Sequence, residues 1–382
     1  MKPRLLVFEL RMMGDAIMSL PFIRAALERH QVFVCCTASG APIFERVLPP
    51  DQILVWNPPW TSEEKKYAPG KWAASGLGSC LRRLRSIRAT TAVTVWADAR
   101  VHLLMALSGA RRRIGFPMSD LNYYASQLPE RQKQLRFGRA LNAVAGLLLW
   151  RPLLTEKINR RDRWQHHVEG WRQLAEALHL NWNASMPWLS APAGTLAPAL
   201  ADFLGRARRA GRPVWLVHPG ARTPNRRWSF QNFSRVIREF FLARGMAVLL
   251  IQPAEVPFQE EFGEDVLILG ASGLDVFFQA LGQVNGVLCN DTGVSHAAAA
   301  LGKKVVTIFT ANLPGWFAPF GNRQFAIEQD SCAFRPCLDQ CRMPSFVCRD
   351  AITPELVIAM LARPEVAGGG PEIARDLESG IS

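Results

Sequence analysis

Short apolar runs alternate with stretches of helical period along most of the chain, and this rhythm restricts the fold more than any other feature. Residues 5–10 form a nearly continuous apolar run, the mark of a strand buried on both faces of a parallel sheet. A turn at 11–14 and a helical pattern from Asp15 to about Glu28 follow. Further strand-like runs lie at 32–36, 53–56 and 92–96, with a helical segment at 77–88. Residues 183–198, rich in Pro, Ala and Ser, interrupt the rhythm. A second series then begins, with strands at 214–218, 247–251, 287–290 and 304–309 and helices at 229–244, 274–281, 295–301 and 354–361. Phe230, Phe233, Val236, Ile237, Phe240 and Phe241 form the apolar side of the helix at 229–244. The predicted fold is α/β: two Rossmann-like, doubly wound parallel-sheet domains facing a central cleft. Their expected extents are 1–185 and 199–350, joined by a linker at 186–198 and followed by a closing helix and loose tail at 351–382.

No apolar run approaches the roughly 20 residues that cross a bilayer. The longest, at 141–150, is followed at once by Arg151 and Pro152. Glu9, Arg11 and Asp15 interrupt the apolar N-terminus, which reads as a first strand rather than a signal peptide. A cytoplasmic protein is expected. Its net charge of +13 is unevenly placed. Residues 1–190 hold 27 Lys and Arg against 14 Asp and Glu, whereas 191–382 hold 18 of each. A one-sided excess of this kind points to an anionic partner for the N-terminal half, or to a solvated basic face with none.

Three junctions, each just after a strand and opening a helix, carry the candidate chemistry. The first is Arg11-Met12-Met13-Gly14-Asp15. The second is His218-Pro219-Gly220-Ala221, running through Asn225-Arg226-Arg227-Trp228. The third is Asn290-Asp291-Thr292-Gly293-Val294-Ser295-His296. Glycine lets backbone approach a ligand, and the N–H groups of a helix start attract phosphate. Gly220 and Ala221 on one side and Thr292 and Gly293 on the other suit one diphosphate, with Arg226 as a fixed cation and His296 one turn away. Neither a dinucleotide-binding nor a Walker A spacing is present. Each feature also has a structural reading: Asp15, Asp291 or Thr292 as helix caps, the glycines as turns, the arginines as a solvated pair, His296 as a core residue.

These segments, with Cys348-Arg349-Asp350-Ala351-Ile352-Thr353-Pro354-Glu355, resemble glycosyltransferase family 9, which includes ADP-heptose:lipopolysaccharide heptosyltransferases. The resemblance runs in order over residues 4–361, and its most specific part is Asp291-Thr292-Gly293 with His296. It implies a GT-B architecture, with the acceptor on the N-terminal domain, the nucleotide sugar on the C-terminal one, and the last helix packed back on the first. Asp15 matches the family's catalytic carboxylate, a general base for inverting transfer. Asp291, Thr292, Gly293 and His296 match the family's donor-binding motif and Arg226 a donor-phosphate position, and Gly14, Gly220, Ala221 and Val294 join them as donor-binding candidates. Glu255 is the candidate for a nucleoside contact, with Glu260 as its rival. Arg226 stands where many members have Lys, and Asn290 where a small or apolar residue is commoner.

The implied donor is a nucleotide sugar, ADP-heptose first and a UDP- or GDP-sugar as the alternative, with no cofactor and no metal. The implied acceptor is an anionic glycolipid of the lipid A–core type. It would bring the basic half to the inner leaflet as a peripheral protein, with Arg82-Arg83, Arg111–113 and Arg160-Arg161 as possible contacts. A nucleic-acid binder would account for the charge alone and finds no supporting motif. Cys332, Cys337, Cys341 and Cys348 are close enough in sequence for a metal or disulfides. Similar clusters in the family favour a structural role.

Overall fold

The computed structural model describes residues 2–61, 69–117, 153–161, 165–252, 260–270, 273–321, 323–337 and 341–367. The chain forms two compact units. The first holds residues 1–189, joined by 312–317 and 332–342. The second holds 190–311, 318–331 and 343–382.

In the first unit, six parallel strands run in the order β3-β2-β1-β4-β5-β6. They are β1 (Arg4–Glu9), β2 (Gln31–Cys36), β3 (Ile53–Val55), β4 (Thr91–Thr94), β5 (Arg112–Gly115) and β6 (Glu156–Lys157). The second unit repeats the pattern as β12-β11-β10-β7-β8-β9, again all parallel. Its strands are β7 (Val214–His218), β8 (Ala247–Ile251), β9 (Val266–Leu269), β10 (Gly286–Asn290), β11 (Lys304–Phe309) and β12 (Gln324–Glu328). Each sheet thus reverses its winding once, between β1 and β4 and between β7 and β10. Ligands of open α/β sheets collect at the carboxyl ends of the strands flanking such a reversal.

β1 and β10 are the central strands next to those reversals, and their apolar runs are buried on both faces. In the first unit Leu6 and Phe8 pack with Cys80 and Leu84 of the helix Leu77–Ser86 and with Val101, Leu104 and Met105 of the helix Ala99–Leu107. Phe22 meets Trp171 of the helix His167–Ala177 at 5.2 Å between ring centroids. The helical pattern expected from Asp15 to Glu28 begins earlier and divides in two, Met13–Met18 and Leu20–Arg29. Pro21 lacks the N–H that would bond back to Ile17 O, and beside the break Ser19 Oγ donates to Ala16 O at 2.7 Å.

In the second unit the expected apolar side is buried as Phe233, Val236, Ile237, Phe240 and Phe241, with Phe230 partly covered. Fully burying each such side chain is worth roughly 1.5–3 kcal/mol. The helix is not uniform: Phe230–Val236 is α-helical, Ile237–Phe241 makes a π turn, and Leu242–Arg244 tightens before Gly245 at φ +67°. The resemblance places the closing helix on the first domain. The structure builds Pro354–Leu361 into the core of the second unit, where Val357 and Leu361 are buried and Glu355 pairs with Arg235 at 2.6 Å. Gly286 opens β10 where a Cβ would lie 2.6 Å from the Trp215 ring. Among the described residues no helix is long and apolar enough to cross a membrane.

Candidate functional site

At the carboxyl end of β1, Thr37 Oγ1 donates to Arg11 O at 2.6 Å and fixes the turn that follows the strand. The helix Met13–Met18 starts from that turn, with Gly14 buried in its first turn. Asp15 is its third residue, not its N-cap, and its Oδ2 accepts the Met12 N–H at 3.1 Å. Negative charge in a first turn also complements the helix dipole. The N-cap reading of Asp15 thus gives way to that of a third-position residue bracing the helix start, which leaves the base reading open.

Below it lies a residue that sequence reasoning passed over. Glu9, the last residue of β1, is 1% exposed. Trp96 Nε1 donates to both of its carboxylate oxygens, at 3.0 and 3.1 Å. Trp96 follows β4, so this contact spans the reversal of the sheet. Its ring carries the Arg11 guanidinium at 4.5 Å and meets the His167 ring at 4.5 Å. Its carbonyl lies 3.2 Å from His102 Nε2, a histidine whose pKa burial pushes down to about 4 and which donates as the neutral ring. Burial, then the negative charge of Asp15, push the Glu9 carboxyl well above its usual range, against the Trp96 and Arg11 contacts. A charged residue ending an otherwise apolar strand was the available signal.

A carboxyl whose folded pKa is raised contributes stability below its unfolded pKa and loses it as pH rises through the folded value. Wild-type stability is therefore expected to decline as pH climbs out of the ordinary carboxylate range. Glu9→Gln, which keeps an acceptor for Trp96, should flatten that decline. Melting temperature against pH for both proteins checks this, and parallel curves would remove Glu9 as the cause.

In the second unit the reversal between β7 and β10 brings two of the sequence-predicted junctions together. Asn290 Nδ2 donates to Pro219 O at 2.7 Å and to Gly220 O at 3.4 Å, and Asn290 Oδ1 accepts the Trp228 N–H at 3.1 Å. Arg226, at the end of the short turn Pro224–Arg226, places Nη1 3.3 Å from Asp291 Oδ2. Its side chain is 24% exposed and that of Asp291 only 5%. Arg227 is not part of a solvated pair: its Nε donates to Ala221 O at 2.6 Å and holds the loop after β7. Thr310 Oγ1, beyond β11, donates to Asn225 O at 2.5 Å.

Thr292, not Asp291, caps the helix Gly293–Ala300, its side chain accepting the Val294 N–H at 3.3 Å. Val294 and His296 are both buried in that helix, and Ala221 is buried in the facing loop. The arrangement sets a helix N-terminus, a glycine loop and a guanidinium at one strand-end crevice, a combination suited to an anionic group.

Glu255 lies outside the described residues. Its rival Glu260 takes donations from Ser234 Oγ and from Arg238 Nη2, the latter at 3.1 Å, and so braces the Phe230 helix. Cys332, Cys337 and Cys341 fall in the first unit and buried Cys348 in the second. Among the described residues no three His, Cys, Asp or Glu come together as a metal-holding group. Of the basic candidates, Arg82, Arg83 and Arg111 are exposed. Arg112 pairs with Glu156 at 2.5 Å, Arg113 Nε donates to Leu153 O at 2.6 Å, Arg160 stacks on Phe116 at 5.0 Å and Arg161 pairs with Glu176.

The sequence model of glycosyltransferase family 9 (heptosyltransferase) matches residues 149–346, just over half of the chain. Escherichia coli ADP-heptose LPS heptosyltransferase II is similar in structure, with a TM-score of 0.58 at 17% identity, over 94% of this chain and 97% of that one. A family 9 glycosyltransferase from Veillonella parvula gives 0.67 at 15% identity, over 96% and 97%. E. coli heptosyltransferase WaaC with ADP-2-deoxy-2-fluoro heptose gives 0.62 at 16% identity, over 94% and 98%. No curated protein matches the chain in sequence. The shared fold is GT-B.

Proposed function

The chain belongs to glycosyltransferase family 9, the heptosyltransferases, and from that premise we propose that it transfers a heptose or closely related sugar from ADP-heptose to a lipopolysaccharide-core type acceptor, inverting the anomeric centre. The observation that carries this reading is the crevice of the second unit, where the Gly220 loop, the Thr292-capped helix and the Arg226–Asp291 pair converge at one reversal of the sheet. It suits the diphosphate of a nucleotide sugar. In this reading Gly220, Ala221, Thr292 and Gly293 offer backbone to the diphosphate. Asp291 faces sugar hydroxyls, and Arg226 meets the charge that grows on the leaving group. Val294 and His296 contribute through the helix that Thr292 caps, and Gly14 and Glu255 complete the donor candidates, Glu255 for the nucleoside.

Asp15 would accept the proton of an acceptor hydroxyl as that oxygen attacks the anomeric carbon. The C–O bond to the diphosphate breaks as the new one forms, so one base suffices and no covalent intermediate arises. The first unit would hold the acceptor, an anionic glycolipid. Exposed Arg82, Arg83 and Arg111 would hold it at the anionic inner leaflet, each worth about 1 kcal/mol near such a surface.

One experiment covers the donor, the acceptor and the membrane. The protein is incubated with ADP-heptose and either a deacylated core acceptor in solution or the intact glycolipid in anionic vesicles, and products are read by mass spectrometry. Transfer to both is expected, with about 0.5 M salt suppressing only the vesicle reaction. Transfer from UDP- or GDP-sugars but not from ADP-heptose would reassign the donor. Salt-insensitive transfer in vesicles would remove the charged-surface step.

A further inference from the structure

Asn290 stands where the family resemblance leads one to expect a small or apolar side chain, and the structure gives it unusual work. It ends β10 in the middle of the sheet and is 0% exposed. Its amide makes three hydrogen bonds to two other segments: Nδ2 to Pro219 O at 2.7 Å and to Gly220 O at 3.4 Å, and Oδ1 from the Trp228 N–H at 3.1 Å. Two carbonyls on one side and an N–H on the other fix which way the amide points. No other side chain of this size meets these demands. Leucine would strand all three groups, and aspartate would set its oxygens against two carbonyls.

The position of these bonds matters more than their number. Gly220 adjoins Ala221, Trp228 stands two residues beyond Arg226, and Asn290 directly precedes Asp291. Each bond therefore ends within two residues of a group assigned above to the donor. Trp228 is itself anchored, its Nε1 donating to Ile352 O at 2.7 Å, and the Thr310 contact holds Asn225. The Arg226–Asp291 pair thus hangs on a frame whose spacing one amide sets.

We propose that Asn290 is a positioning residue for the nucleotide-sugar diphosphate, fixing the separation between the Gly220 loop and the Arg226–Asp291 pair. The inference rests on the reading of this crevice as the donor site. A misplacement of about 1 Å in such a frame costs up to 10²-fold. The loss should therefore fall on donor binding and turnover, beyond any loss of stability.

The test titrates ADP into wild type, Asn290→Asp, Asn290→Leu and a core control, Ile327→Ala, by calorimetry at a temperature where circular dichroism shows each folded. Donor KM and kcat are measured alongside. Both Asn290 variants are expected to bind ADP about 10- to 100-fold more weakly, with donor KM raised more than kcat is lowered. Ile327→Ala, buried in the same unit, should lose stability and keep its ADP affinity. If the Asp and Leu variants do not fold, Asn290→Ser, whose single shorter hydroxyl cannot bridge the Pro219 and Gly220 carbonyls to the Trp228 N–H, carries the same prediction. Wild-type ADP affinity and KM in a folded Asn290 variant overturns the proposal. Failure of the wild-type protein to bind ADP, UDP or GDP overturns the donor reading itself, before Asn290 is changed.

Discussion

Asp15→Asn is expected to lower kcat by about 10²–10⁴-fold while ADP affinity stays at the wild-type value. The amide is nearly isosteric with the carboxylate, and its oxygen can still accept the Met12 N–H that Asp15 Oδ2 accepts at 3.1 Å. The start of the helix Met13–Met18 is therefore kept. What is lost is the ability to take a proton at the carboxyl end of β1. Asp15→Ala also removes the acceptor of the Met12 N–H, and the loss of such a hydrogen bond costs about 0.5–1.5 kcal/mol. Comparing the two variants separates chemistry from folding: the same kcat with different melting temperatures assigns the kinetic loss to proton transfer. Near wild-type turnover in Asp15→Asn would end the role of Asp15 as base. The negative charge of Asp15 also bears on Glu9 beneath it. The Asn variant should accordingly bring the Glu9 carboxyl down toward its usual range.

Central strands were legible because a strand buried on both faces has little choice of composition. Ala247–Ile251 is a continuous apolar run, Val214–His218 is apolar up to its terminal His218, and Lys304–Phe309 is apolar but for Lys304 and Thr307; the sheet begins and ends all three where the residues suggest. Three of the four edge strands, and β5 inside the first sheet, were not legible; the edge strand β3 was the exception. β9 and β12 are only partly covered, and β6 is two residues long, so none of them needs a strong apolar pattern. The break at Ser19 depends on one proline inside a stretch whose apolar period continues through it.

The junctions stood out because glycine and charge at strand ends are visible one residue at a time. Their connections were not. Arg226 and Asp291 lie 65 positions apart, and nothing local to either predicts a contact at 3.3 Å. Asn290 looked like a local departure and is a long-range bracket. Glu9 was read only as a charge that disqualifies a signal peptide. Its partner Trp96 belongs to another strand end, 87 residues on. Pairing of this kind is a property of the sheet order, which periodicity does not reveal.

That same pairing makes Arg226→Met the second large effect, and one with two separable parts. Asp291 is almost fully buried, and removing its guanidinium partner leaves a carboxylate less compensated, at a cost of about 1–3 kcal/mol. If the pair were structural only, the damage would stop there, and adding Asp291→Asn would recover stability and activity together. In the donor reading Arg226 also meets the diphosphate. Loss of such a preorganised cation is expected to lower kcat by about 10²–10³-fold. The double variant should then recover melting temperature and not activity. Arg226→Lys keeps the charge without the forked geometry, and should fall between wild type and Met in donor KM. Recovery of transfer in the double variant would return Arg226 to a purely structural part, because a missing phosphate contact cannot be restored by neutralising its neighbour.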